Sequence, residues 1–289
     1  MVKLIATDLD GTLLNEHSEV SEENANAIKK AMDKGVQFVV ATGRSLSAAT
    51  KPLHKVGITC PIICLNGANI YDIERNLLRS IPMDLDLCRE IVKACPTDDI
   101  YLEFYTNDGV YSVSREYFIK VLMDIVKSAN PDATEEELRE AAHNRIQNED
   151  ITVIKSNEDI FTFKDLVIYK ILVFSLKKEV LSSLYKRFEH ETNLAVTSSG
   201  DINLEFNHPD AQKGIALQIY SSSLGINMNE VMALGDNFND KDMLERVGYS
   251  VAMGNSPDEI KRLCKFTTKT NVEYGVAYAI EEMLKENFK

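Results

Sequence analysis

Five short apolar runs, each ending in a glycine beside a hydroxyl, amide or carboxylate, constrain this chain more than any other feature. Leu4-Ile-Ala6 leads into Asp8-Leu-Asp-Gly-Thr12, and Val36-Gln-Phe-Val-Val-Ala41 leads into Thr42-Gly43-Arg44. Pro61-Ile-Ile-Cys-Leu65 ends in Asn66-Gly67-Ala68-Asn69, and Val231-Met-Ala-Leu234 in Gly235-Asp236-Asn237-Phe238-Asn239-Asp240. Ser250-Val-Ala-Met253 ends in Gly254-Asn255. Short apolar runs bounded by turn residues read as buried strands. Alone, Asp8-Leu-Asp-Gly would be an ordinary Asx turn. Open α/β sheets, however, bind ligands outside the carboxyl ends of their strands. Five such endings therefore indicate one site.

Between the runs the pattern alternates strand and helix: strand 3–8, helix about 21–34, strand 36–41, helix about 45–56, strand 61–65. Ser21 and Asn24 give the first helix the look of a capping box. Such alternation implies parallel strands with right-handed crossovers. From about 82 to 207 the pattern changes. A helix around 84–95 is followed by the alternating runs Tyr101-Leu-Glu-Phe-Tyr105 and Val110-Tyr-Ser-Val113, joined by the hairpin signal Asn107-Asp-Gly109. Helices are expected near 114–128, 134–145 and 178–191, and strands at 167–174, 194–197 and 202–206. The aromatic residues Phe104, Tyr105, Tyr111, Phe163 and Phe174 read as core of this segment. The expected fold class is α/β, a Rossmann-like doubly wound parallel sheet formed by 1–81 and 208–289, with an inserted α+β domain at 82–207.

The residue types at the strand ends suggest their chemistry. Asp8, Asp236 and Asp240 are hard oxygen donors suited to Mg2+, which favours carboxylates, water and substrate phosphate. The Thr42 hydroxyl and the unshielded Gly43 N–H can hold a phosphoryl oxygen, and Lys213 can bring a cation to the same phosphate. Asn66 is placed for substrate contact by the clustering of strand ends. Neither G-x-x-x-x-G-K-[ST] nor G-x-G-x-x-G occurs, so there is no nucleotide cradle of those kinds.

Asp8-Leu-Asp-Gly-Thr12, Ala41-Thr-Gly-Arg44, Lys213 and Gly235-Asp-Asn-Phe-Asn-Asp240, in that order, resemble the four motifs of the haloacid dehalogenase superfamily. Asn66-Gly-Ala68 and Val251-Ala-Met-Gly-Asn255 resemble its Cof-like sugar-phosphatase branch more narrowly. The motifs lie on roughly the first 80 and last 80 residues. The resemblance implies that Asp8 is a nucleophile and Asp10 a general acid/base. It implies that Leu9, Thr42, Gly43, Arg44, Asn66, Gly67, Lys213 and Asn239 bind phosphate or substrate. Mg2+ would sit between Asp8, the backbone carbonyl of Asp10 and Asp236, with Asp240 in support. The inserted segment would be a C2-type cap that sets substrate choice.

The activity so implied is hydrolysis of small phosphorylated metabolites, sugar phosphates foremost, through an aspartyl-phosphate. Asp10 would start protonated, a state that the neighbouring Asp8 carboxylate favours. A phosphomutase would use the same aspartyl-phosphate, and a non-catalytic binding protein could share the fold; both stand as alternatives. The formal net charge of -13 argues against nucleic-acid and anionic-membrane partners. No apolar stretch approaches the ~20 residues a membrane span needs. Met1-Val-Lys runs straight into the first strand, and the five cysteines contain no C-x-x-C, so the expected setting is a reducing cytoplasm. The expected state is a monomer or weak homo-oligomer.

Overall fold

The first strand, β1 (Leu4–Thr7), is buried along its whole length, as an unbroken apolar run in the middle of a sheet requires. It belongs to a computed structural model that describes residues 1–95, 100–113, 116, 119, 120, 123, 133–139, 151–198 and 202–285. Helix α1 (Glu22–Asp33), strand β2 (Gln37–Ala41), helix α2 (Leu46–Lys55) and strand β3 (Ile62–Cys64) follow. Ser21 Oγ accepts from Asn24 N at 3.2 Å and Ser45 Oγ from Ala48 N at 3.3 Å, so each helix starts at a hydroxyl cap. The reciprocal half of the box expected at Ser21 is absent. The Asn24 side chain instead donates to Leu13 O and accepts from Ala277 N, tying α1 to distant segments. Two further strands, β4 (Asn69–Tyr71) and β5 (Leu77–Ser80), were not evident in the apolar pattern. Leu77 and Leu78 are exposed, and what turns the chain is Asp72, whose Oδ1 accepts from Asn76 N at 2.7 Å.

The chain divides into two compact units, Met1–Ile81 with Asp210–Lys289, and Pro82–Pro209. The second contains helix α3 (Leu85–Ala94), strands β6 (Tyr101–Thr106), β7 (Gly109–Ser112), β8 (Ile151–Val153) and β9 (Ile168–Phe174), helix α4 (Lys178–Phe188), and strands β10 (Ala195–Thr197) and β11 (Asn203–Asn207). The sheet order is β10-β11-β9-β6-β7-β8, antiparallel except for the parallel β7–β8 pair. One face carries Leu102, Phe104, Ile171, Val173, Leu204 and Phe206, packed with Ile91 of α3 and with Leu181 and Leu184 of α4. The aromatic residues divide. Phe104 and Tyr111 join this core, Phe163 is exposed, and Tyr105 and Phe174 fall on the opposite face by strand alternation. The helices expected near 114–128 and 134–145 lie outside the described residues, apart from 116, 119, 120, 123 and 133–139.

The chain then returns through helix α5 (Lys213–Ser223), strand β12 (Val231–Gly235), helix α6 (Lys241–Arg246), strand β13 (Tyr249–Ala252), helix α7 (Asp258–Leu263), strand β14 (Phe266–Thr267) and helix α8 (Gly275–Leu284). The eight-stranded sheet runs β14-β13-β12-β1-β2-β3-β4-β5, parallel from β14 to β3 and antiparallel beyond. Winding proceeds outward from β1 through β2 and β3, and on the other side from β12 through β13 and β14. The direction reverses between β1 and β12, so the crevice of a doubly wound sheet opens at the end of β1. Leu4, Ala6, Val39 and Ala233 pack on one face against Ala216, Leu217 and Leu244. Among the described residues, no helix is long and apolar enough to cross a membrane.

Candidate active site

Asp8 directly follows β1 and is buried, its main-chain N–H donating to Leu234 O of β12 at 3.0 Å. The chain then makes a wide helical turn over Leu9–Leu13, with Leu14 N donating to Leu9 O at 2.9 Å. Gly11 permits the turn. Its φ of 76° is left-handed, and a Cβ there would collide with the Asp236 carboxylate. Asn255 Nδ2 donates to Gly11 O at 2.8 Å, and Thr12 Oγ1 donates to Asp236 Oδ1 at 2.9 Å. The ends of β1, β12 and β13 are thus tied around Asp8.

Lys213 enters this group as the first residue of α5. Its Nζ lies 2.7 Å from both Asp8 Oδ1 and Asp240 Oδ1, and all three side chains are buried. Asp240 Oδ2 accepts from Asp236 N at 3.0 Å and Asn237 N at 3.2 Å, so Asp240 shapes the loop after β12. Burial pushes the Asp8 carboxyl well above the usual carboxylate range; Lys213 opposes this, while Asp240, Asp236 and Asp10 add to it. Asp236 is pushed up to about 6, by burial first and then by Asp240. Burial acts against the Lys213 ammonium, but Asp240 and Asp8 outweigh it and leave its pKa above the ordinary lysine value.

Asp8, Asp236 and Asp240 each offer a carboxylate oxygen within 4.8 Å of the other two. Once ionised, the three carboxylates against the Lys213 ammonium leave a surplus of two negative charges, which a divalent cation would balance. The donors are all hard oxygens, and Asp8 and Asp236 each keep a second oxygen outside the bonds described. The residues present therefore fit Mg2+. The Asp10 carboxylate is not part of this cluster.

Asp10 is turned outward instead. Arg44 Nε donates to its Oδ2 at 2.7 Å and Nη2 to its Oδ1 at 2.5 Å, a bidentate pair. Both Asp10 oxygens thus accept from Arg44. Thr42 is buried beyond β2, its Oγ1 accepting from Arg44 N at 3.1 Å. Asn66 N donates to Thr42 O at 3.0 Å, and Asn66 adopts the left-handed region at φ 56°. Gly43 permits this approach, since a Cβ on it would lie 3.0 Å from Asn66 Oδ1. Gly67, at φ 102°, abuts the Gln212 backbone and so seats the start of α5 against the end of β3.

Asp8, Lys213, Asp236 and Asp240 thus form one hydrogen-bonded group, and Thr42, Arg44 and Asn66 form another that Arg44 ties to Asp10, with Gly43 packed against Asn66 and Gly67 against Gln212. Leu9 is buried, and half-buried Asn239 has no side-chain hydrogen bond among the described residues. Thr12, Asn255 and Asp242 had no assigned role in the sequence. Asp242 Oδ2 accepts from Ile215 N at 3.2 Å, and Gly214 lies directly against it, which fixes α5 and hence Lys213. The signal available was the position of Thr12 and Asn255 inside the strand-end motifs.

The family model for haloacid dehalogenase-like hydrolases matches residues 5–280. Phosphatase YwpJ of Bacillus subtilis (strain 168) is 36% identical over 285 residues, covering 98% of this chain and 100% of that protein. The 5-amino-6-(5-phospho-D-ribitylamino)uracil phosphatase YwtE of the same organism is 36% identical over 288 residues, covering 99% and 100%. A solved haloacid dehalogenase-like hydrolase from B. subtilis superposes with a TM-score of 0.88 at 36% identity, covering 98% of this chain and 100% of that one. The strand-end motifs, the doubly wound sheet and these matches agree: the chain belongs to the haloacid dehalogenase-like hydrolases.

Proposed function

We propose that this protein is a cytoplasmic, Mg2+-dependent phosphatase of small phosphorylated metabolites, sugar or polyol phosphates foremost. The observation that carries this reading is a carboxylate, Asp8, buried at the switch point and held by Lys213 inside a three-carboxylate cluster. Its relatives include named phosphatases, one for a phosphorylated ribityl compound. Five cysteines, all free thiols, agree with a reducing compartment. Substrate choice is assigned to the unit Pro82–Pro209.

In this reading Asp8 attacks phosphorus in line, forming an aspartyl-phosphate as the bond to the ester oxygen breaks. Lys213 opposes the effect of burial on the Asp8 carboxyl and orients it. Mg2+ held by Asp8 and Asp236, with Asp240 in support, supplies the positive charge that lets carboxylate and phosphate approach. Thr42 and the Gly43 N–H hold phosphoryl oxygens. Asp10 protonates the departing alkoxide and then takes a proton from water attacking the aspartyl-phosphate. Both steps require one Asp10 oxygen to leave Arg44.

The test is phosphate release by purified protein from a panel of phosphorylated metabolites, with and without Mg2+. Release should require Mg2+ and fall by about 10³-fold or more in Asp8→Asn. A substantial residual rate in that variant would exclude the covalent route. Phosphoryl transfer to a second hydroxyl without phosphate release would identify a mutase instead.

A further inference from the structure

The motif Val251-Ala-Met-Gly-Asn255 ends in a side chain that the phosphoryl chemistry above does not use. Val251, Ala252 and Met253 are buried, but Asn255 is exposed, so core packing does not explain an amide there. Its Nδ2 donates to Gly11 O at 2.8 Å, and its Oδ1 accepts from Asn271 N at 3.0 Å. Asn271 Nδ2 in turn donates to Leu14 O at 2.9 Å, and Asn24 Nδ2 to Leu13 O at 3.2 Å. Three asparagine amides, from α1, from the end of β13 and from the approach to α8, thus hold three carbonyls of the one turn that follows Asp8.

Asp10 (φ -75°, ψ 120°) and Gly11 (φ 76°, ψ -1°) have the dihedrals of the two central residues of a type II turn. The middle peptide of that turn carries the Asp10 carbonyl. Rotating this peptide over gives a type I turn and reverses the carbonyl. Glycine at residue 11 allows both forms, so the choice has to be held from outside. Two side chains meet the turn just beyond that peptide: Asn255 at Gly11 O, and Thr12, whose Oγ1 donates to Asp236 Oδ1 at 2.9 Å. Gly11 is only half-buried, and water can satisfy its carbonyl almost as well as an amide. The Asn255 bond therefore adds direction more than stability. None of the three amides takes the Asp10 carbonyl itself.

We infer that Asn255 is a positioning residue for the divalent cation. By holding Gly11 O it fixes the type II form of the turn, and so sets the direction of the Asp10 carbonyl, a neutral oxygen that would join Asp8 and Asp236 as a donor. Asn255 acts through Gly11 and touches neither cation nor substrate. Asn271, through its main-chain N–H, keeps the Asn255 amide turned the right way round, with nitrogen toward Gly11. The inference rests on the Mg2+-dependent reading above and adds a residue behind the donor set. Residues that orient metal ligands in this way change metal affinity about 10–100-fold when they are removed.

The experiment compares full-length wild type, Asn255→Ala and Asn271→Ala. Mg2+ is titrated at pH 7, and its dissociation constant is read from the rise in thermal midpoint, which reports binding without turnover. Asn255→Ala should bind Mg2+ about tenfold more weakly or worse, with a metal-free midpoint within about 3 °C of wild type. Excess Mg2+ should restore most of its phosphate release, a rescue that mere damage to the fold would not show. Asn271→Ala keeps the main-chain N–H on Asn255 and leaves Gly11 O tied, so its Mg2+ constant should change less than about threefold. A change that small in Asn255→Ala overturns the inference. Equal weakening in the two variants also overturns it, tracing the effect to looseness of the whole turn. A wild type that binds Mg2+ but releases no phosphate from any substrate overturns the phosphatase reading alone, and one that binds no Mg2+ overturns both.

Discussion

Lys213 shows how one side chain can hold a site together. Its ammonium, buried between Asp8 and Asp240 at 2.7 Å each, opposes the burial that raises the Asp8 pKa. Removing one partner from a buried ion pair leaves the other uncompensated, which costs about 3–5 kcal/mol. Lys213→Met, similar in length but uncharged, should therefore lose about that much in urea unfolding without Mg2+. A loss under about 1 kcal/mol would show that Asp8 and Asp240 do not depend on it. The convergence of Asp8, Lys213 and Asp236 was legible because each ends a strand or opens a helix in a recognisable motif. The Arg44 fork on Asp10 was not. Arg44 reads as a phosphate contact, and only the packed turn reveals that its guanidinium reaches Asp10. The Thr12 hydroxyl was hidden for a similar reason, since after Asp-Gly it reads as a turn residue.

At the scale of elements, glycines at the junctions separate close approach from mere chain reversal. Gly67 and Gly109 both have positive φ, 102° and 115°, but a Cβ at Gly67 meets the Gln212 backbone while at Gly109 it meets nothing within 4 Å. Gly109→Ala should cost about 1 kcal/mol, the conformational penalty alone, and Gly67→Ala clearly more because β3 and α5 must part. Equal shifts in urea midpoint would mean that the junction at Gly67 gives way freely. Unbroken apolar runs made β1, β2 and β12 readable, and period-2 alternation with Asn107-Asp-Gly109 did the same for β6 and β7. Strands β4, β5 and β8 escaped notice. Exposed Leu77 and Leu78 break any inside–outside alternation in β5, and Thr152 and Val153 of β8 are exposed. Edge strands are held by backbone pairing and turn chemistry, here Asp72 with Asn76, and leave a weak apolar pattern.

The whole molecule carries a formal charge of -13, and its carboxylate cluster adds strain of the same sign. Asp236 has a folded pKa of about 6 against an ordinary 3.8, so the folded state holds its proton more tightly. Stability contributed by that proton is present at low pH and falls as pH rises from about 4 to about 6; raised Asp8 acts in the same direction. A cation binding the ionised cluster offsets this loss, so Mg2+ should raise the thermal midpoint more at pH 7 than at pH 5. An equal rise at both would disconnect the cation from these carboxylates. Since all three carboxylates of this cluster lie in Met1–Ile81 and Asp210–Lys289, the effect should survive removal of the rest. The chain leaves and re-enters that unit at neighbouring points: Arg79 donates to Gly67 O at 3.2 Å and Asp210 O at 2.8 Å, and Ile81 N to Ala68 O at 2.9 Å. A linker of a few glycines and serines can therefore join Ile81 to Asp210, and a shorter loop costs less closure entropy than the one it replaces. The excised unit keeps its own apolar core on the sheet. It should unfold in one cooperative transition, respond to Mg2+ with the same pH dependence, and still hydrolyse an activated aryl phosphate. A unit that folds and binds Mg2+ but has lost aryl phosphate hydrolysis would place part of the phosphoryl chemistry in Pro82–Pro209.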